Sequence, residues 1–158
     1  MSIQEEETLE SLIYAANMHA LRIEEALQHI APILPLQATT LEELKHEDLG
    51  SLELITNRFV KLQDLIGAQI FPRILKELRE DSPTQSMIDR LNVLEKLEIL
   101  PSADIWIKMR DQRNKLTHEY PDKLDVMANN LNIAIEHAKY LQSYWITLRA
   151  FIMKLISS

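Results

Sequence analysis

Arg113 and His118 stand five positions apart, with four residues between them, in the run Arg113-Asn114-Lys115-Leu116-Thr117-His118-Glu119-Tyr120. Beside a phosphodiester, these two side chains make a workable pair. A guanidinium is always charged and can grip two phosphate oxygens at once, stabilising charge that builds in a transition state. Histidine titrates near neutrality and moves protons to or from a 2′-hydroxyl or a 5′-oxygen leaving group. An RNA strand brings its own nucleophile, so the pair calls for no metal, no cofactor and no covalent enzyme intermediate. On spacing alone, a solvated polar helix end is the favoured reading.

The element that must position this pair is a helix, predicted from about Ala103 to His118, with Ser102 as its cap. Tyr120 precedes Pro121, which disfavours helical geometry at the tyrosine. At about 100° per residue, Ile105, Met109 and Leu116 fall on one narrow stripe, the expected core face. Arg110, Asn114 and His118 follow at steps of four on a second stripe facing away, with Arg113 and Thr117 between the two. Arg113 and His118 are then about 140° apart on an ideal helix. One pocket holds both if Arg113 reaches around or the helix end unwinds.

The remaining segments also read as helices. Leu9, Leu12, Ile13, Ala16, Ala20, Ile23, Leu27 and Ile30 recur at three- and four-residue steps, predicting a helix from about Glu6 to Ile30 that Pro32 and Pro35 end. Thr40 with Glu43 suggests a capping box for a short turn, Leu41 to Lys45. A second long helix is expected from Glu47 or Asp48 to about Leu78, kinked at Pro72. Ser82 and Pro83 suggest the cap and first position of a third, carrying Met87, Ile88, Leu91, Leu94 and Leu97. The last helix is expected from about Asp122 to Ile156. The sum is one domain, residues 1–158: an all-α, antiparallel up-and-down bundle of about five helices.

Composition narrows the chemistry further. The chain has 158 residues, enough for one real core, and only two glycines and six prolines, too few for the turns of an all-β fold. Two glycines cannot build a phosphate-binding loop. Cysteine is absent, which removes disulfides, thiolate metal sites and cysteine nucleophiles. His19, His29, His46, His118 and His137 are scattered without metal-ligand spacing. Trp106 and Trp145 are expected in the core rather than as base-stacking platforms. The acidic start lacks a signal-peptide pattern and no apolar run approaches the ~20 residues of a membrane span, so a cytoplasmic protein with no membrane partner is expected. Seventeen basic residues against 24 acidic give a net charge of −7. RNA binding therefore needs a local basic cluster, for which Arg58, Arg73, Lys108, Arg110, Arg113 and Lys115 are the candidates.

Arg113-Asn114-x-x-x-His118-x-Tyr120 resembles the R-x4-H-x-Y signature of the HEPN toxins of HEPN–MNT toxin–antitoxin pairs. The likeness extends to Trp106-x-x-x-Arg110 before the motif. It also takes in Asn57-Arg58-Phe59-x-Lys61-Leu62-Gln63-Asp64-x-x-Gly67 with Phe71-Pro72, and Arg90-Leu91-x-x-Leu94-Glu95-Lys96-Leu97. It spans most of the chain from Leu34 onward; the first and last helices fit in length and character only.

The resemblance implies a HEPN-like bundle that forms a homodimer, with the motifs of both protomers facing one cleft, and that cuts RNA without metal. Arg113 would hold and polarise the phosphate, His118 would act as acid and base, and Asn114 and Arg110 would support the site. Arg58 and Asp64 are pocket candidates, although six positions apart they do not share a helix face. Tyr120 resembles the tyrosine that a cognate MNT-type nucleotidyltransferase antitoxin modifies with AMP, a bulky anion that would repel RNA. Two other functions stay open: a non-catalytic module that binds nucleotide or substrate for a separate nucleotidyltransferase, and a helical scaffold without nucleotide chemistry.

Overall fold

Thr8 opens the first helix, its hydroxyl oxygen accepting the Ser11 amide at 3.1 Å, and Leu9–Ile30 (α1) follows. A computed structural model of the chain describes residues 8–116 and 122–158. Within them the regular structure is helical: α2 (Ala38–Glu42), α3 (His46–Leu65), α4 (Phe71–Glu77), α5 (Met87–Lys96), α6 (Ala103–Lys115) and α7 (Leu124–Ser157). Thus the all-α expectation holds among the described residues. No helix there is long and apolar enough to cross a membrane.

Polar cross-links fix the directions in which the rods run. On α1 and α3, His29 Nε2 lies 3.2 Å from Asp48 and His19 Nδ1 lies 3.1 Å from Arg58, so the two helices run in opposite senses. On α7, Trp145 Nε1 and Arg149 Nη1 both donate to Asn17 Oδ1, at 2.9 and 2.8 Å, while Gln142 reaches Glu24; α7 is likewise opposed to α1. The apolar stripes of these rods meet in one core holding Ile23, Ile55, Phe59, Leu62, Ala138, Leu141 and Trp145, all at or near zero exposure. Burying a Leu, Ile or Phe side chain contributes about 1.5–3 kcal/mol. That apolar burial is the main force holding the rods together.

Three local expectations need correction. The short helix starts at Ala38, because the Gln37 amide donates to Thr40 Oγ1 at 3.3 Å; Thr40 sits inside the first turn rather than capping one that begins at Leu41. Helix α5 begins at Met87, not at Pro83. Ser86 is its cap: Ser86 Oγ accepts the Asp89 amide at 3.1 Å while the Asp89 carboxylate accepts the Ser86 amide at 2.9 Å, a reciprocal pair that Ser82 has no acidic partner to make. Ser82 instead turns the chain, its carbonyl accepting the Gln85 amide.

The expected kink at Pro72 lies one turn earlier, in a wide π turn over Ile66–Ile70. There the Phe71 amide reaches back five residues to the Ile66 carbonyl. The widened turn relieves the carbonyls that a following proline ring would otherwise crowd, and α4 continues with Pro72 in its first turn. Gly67 and Ala68 lie within this widened turn and line a recess there. With glycine so scarce, Arg79 and Glu98 take positive φ, 58° and 61°, just past α4 and α5. Both are left-handed stops usually given to glycine.

Two half-buried histidines make the fold sensitive to acid. His137 packs beside Phe59, ring centroids 6.4 Å apart, and its Nδ1 is buried without a partner among the described residues. Burial lowers its pKa below the ordinary 6.5, against a small opposing pull from Glu136. Burial first, then the charges of Arg58 and Lys61, lowers that of His19. Both are favoured as neutral rings in the fold, so their contribution is fully present above the unfolded value and is lost as pH falls below it, when the unfolded chain takes up protons the fold resists. The melting temperature is expected to fall as pH drops from about 7 to about 5, and the decline to flatten in His19→Gln/His137→Gln. Melts followed by circular dichroism across that range check it; an identical slope in the double variant would discard the two histidines as its source.

Candidate functional site

Ser102 starts the helix that carries the basic run, its Oγ accepting the Ile105 amide at 3.2 Å, as the sequence suggested. The helix then closes at Lys115, with the Leu116 amide bonded to the Arg113 carbonyl at 3.1 Å. Its buried stripe differs from the expected one. Ile105 is 43 % exposed, and the buried positions are Ala103, Trp106 and Met109. The indole decides the rotation: Trp106 packs against Phe71 and Tyr144, centroids 5.0 and 6.1 Å away, and anchors α6 far more firmly than Ile105 would. Both tryptophans are thus core residues, as expected.

That rotation carries Arg113 onto the end of the buried stripe. Its side chain is only 12 % exposed and its guanidinium faces α3. Nη2 is 2.7 Å from Asp64 Oδ1, and Nη1 donates to Gln63 Oε1 at 3.3 Å and to the Val60 carbonyl at 3.4 Å. Gln63 is 2 % exposed and donates its own Nε2 to the Trp106 carbonyl at 3.2 Å. Each half of the amide thus serves α6, and the arginine sits in a preset socket. Asp64 is the open side of that socket, with 56 % of its side chain exposed. An incoming phosphate oxygen would compete with Asp64 for Nη2.

The other site candidates divide. Arg110 is exposed and lies against Met87 Sδ. Asn114 is exposed on the same outer side of α6. Arg58 belongs elsewhere: it donates toward His19 on α1, while Asp64 pairs with Arg113. Six positions apart, the two lie on different sides of α3, and among the described residues they bond to different partners. His118 and Tyr120 lie outside the described residues. Among the described residues, no three His, Asp or Glu side chains gather as metal ligands.

Two recesses flank Arg113. On one side Asn57, Val60, Lys61, Arg113 and Leu116 line an open groove of about 360 Å³. On the other, Gln63, Asp64, Gly67, Met87, Arg90, Trp106 and Arg110 enclose about 240 Å³. Gln63 and Arg90 were the residues the sequence reading did not single out for the site. A glutamine inside an apolar helix stripe, Leu62 to Leu65, was the signal for the first. No family model, curated protein or solved structure matches the chain.

Removing the arginine leaves the buried Gln63 acceptor and the Asp64 carboxylate without their donor. Arg113→Ala is expected to lower the unfolding free energy by about 1–3 kcal/mol, and Arg113→Lys by clearly less. Urea titrations of both check this, and equal losses would deny the socket its energetic role.

Proposed function

We propose that the chain is a metal-independent endoribonuclease toxin of the HEPN type, acting in the cytoplasm as an antiparallel helical bundle paired into a homodimer. Its proposed partner is an MNT-type nucleotidyltransferase antitoxin that silences it by AMPylation of Tyr120. What carries this reading is the run Arg113-x4-His118-x-Tyr120 in the sequence, with Arg113 lining one basic recess and bonded to Gln63 and Asp64 of the next. In this chemistry the RNA 2′-oxygen attacks the neighbouring phosphorus and the bond from phosphorus to the 5′-oxygen breaks. Arg113 holds the phosphate and counters its growing charge. His118 moves the protons, taking one from the 2′-hydroxyl or giving one to the leaving 5′-oxygen. Asn114 and Arg110 support the phosphate from the same helix.

Two observations favour the alternative. Asp64 holds Nη2 of Arg113 at 2.7 Å, and the chain as a whole carries −7; both oppose a phosphate in the socket. A module that binds a substrate for a separate nucleotidyltransferase, without seating a phosphate at Arg113, needs no such displacement.

Induced expression separates the two. Wild type is expected to arrest growth with cleaved total RNA. His118→Ala is expected to lose at least about a hundredfold of the cleavage, and Arg113→Lys to fall between. A His118→Ala protein as toxic and as ribonucleolytic as wild type would end the nuclease reading. Intact RNA and normal growth with soluble wild-type protein would favour the binding module.

A further inference from the structure

The α3–π turn–α4 rod is one wall of a row of three neighbouring recesses that together form a trough. In chain order along it come the groove with Lys61 and Arg113, the enclosed recess with Arg90 and Arg110, and a third recess of about 300 Å³ that adds Arg73 and Lys76. Arg90 lines both the second and the third. Arg113 joins the first to the second, since it lines the groove and bonds Gln63 and Asp64 of the recess. Helices α5 and α6 supply the opposite wall. Six bases face three acids, Glu53, Asp64 and Asp81. This is the reverse of the balance over the whole chain.

Two of these bases lack the partners that would make them structural. Neither Arg90 nor Arg110 has an ion pair among the described residues, and Arg90 Nε is buried with no acceptor there. Arg90 is held only through Nη1 on the Gln85 carbonyl, at 3.2 Å. A buried guanidinium N–H without an acceptor is costly, and an anionic oxygen in the recess would satisfy it. The π turn matters here because Gly67 and Ala68 keep the rod's face low at this point. A Cβ on Gly67 would already touch the Trp106 ring, 3.5 Å from Cζ2.

We propose that the trough is a binding track for single-stranded RNA, read through its phosphates, with Arg90 and Arg110 forming a subsite for a phosphate next to the one held at Arg113. The inference rests on the ribonuclease reading for the choice of RNA. From Lys61 to Lys76 the rod is about 22 Å long, room for a few nucleotides of single strand. Trp106, 2 % exposed, offers no face for base stacking. The track therefore recognises the backbone and tolerates any base sequence.

The test uses the full chain and a dye-labelled 2′-O-methyl oligoribonucleotide of about twelve nucleotides, which keeps its phosphates but cannot be cut through its 2′-oxygen. Anisotropy titrations at several salt concentrations compare wild type, Arg110→Gln, Arg90→Gln/Arg110→Gln and Lys154→Gln, a basic residue at the far end of α7. The double variant is expected to bind about tenfold more weakly, with a salt slope shallower by about 0.7, the loss of one phosphate contact on a single strand. The exposed Arg110→Gln alone should lose about half that slope change, and Lys154→Gln nothing. Arg110 lies on the surface, so its variant keeps the test valid if the Arg90 change harms folding.

Unchanged affinity and slope in Arg110→Gln and the double variant would overturn the track, even if wild type cuts RNA. So would wild type that fails to bind the probe. Tight, slope-dependent binding with no cleavage of ordinary RNA would support the track and remove the nuclease reading.

Discussion

One buried amide holds the site in register. Gln63 is a glutamine in an apolar stripe, and an unpaired buried amide costs on the order of 1–3 kcal/mol. The fold meets both of its ends from the same neighbour: the Trp106 carbonyl takes a proton from Nε2, and the Arg113 guanidinium supplies one to Oε1. Trp106 and Arg113 are seven residues apart, two turns of α6. A slide or rotation of α6 against α3 would break both bonds together. The aromatic contact of Trp106 with Phe71 and Tyr144 holds the near end, and the Asp64 pair holds the far one. The position of Arg113 follows from packing that begins well inside the core.

The same device recurs at the other seams. Asn17 takes protons from Trp145 and Arg149, and Asn132 bonds both the amide and the carbonyl of Leu36, at 2.8 and 2.9 Å. Apolar burial holds these helices together but is non-directional. It would tolerate several rotations of smooth stripes made of Leu, Ile and Ala. A few buried or half-buried polar residues with directional partners select one, because every other register leaves a donor or acceptor unmet.

The parts of this architecture written in local chemistry were legible from the sequence. Ser102 announces its helix, the spacing of Leu9 to Ile30 announces α1, and the tryptophans announce core. What depends on competition between neighbours was not. Ser82 followed by Pro83 is as good a local start as Ser86 followed three residues later by Asp89, and the reciprocal bond at Ser86 decides it. The π turn depends on how a rod accommodates Pro72 while keeping Phe71 and Ile70 buried, which no residue type encodes alone. The orientation of α6 was misjudged because a wheel weighs Ile105 and Trp106 by position only. Large aromatic area outweighs one isoleucine, and a modest rotation moved Arg113 from the flank to the socket. At the site, Arg113 and Arg110 were candidates from the start, whereas Arg90 acquires its interest only when α5 is folded against the π turn. Arg58 and Asp64 take different partners on different helices, in keeping with a spacing of six that puts them on different sides of α3.

The contrast between the trough and the rest of the surface shapes how any polyanion would be met. At physiological ionic strength a charge is felt over about 8 Å. An RNA phosphate inside the trough would therefore respond mainly to the six bases that line it, and little to the carboxylates of distant faces. At low salt the screening length grows to about 30 Å at 0.01 M. The excess of acidic residues over the whole chain then opposes approach at the same time as the local attraction strengthens. The two effects pull against each other, so total affinity should climb less steeply on dilution of salt than a count of phosphate contacts implies. An acidic body around a basic trough discriminates by geometry: an anion gains the full attraction only when it lies in the channel, within a screening length of the arginines. A duplex is broader than a single strand and would have to bring its second backbone close to those acidic faces. Asp64 continues this logic into the site itself, a carboxylate beside the one arginine whose charge the proposed chemistry requires, displaced only by an anion delivered along the trough.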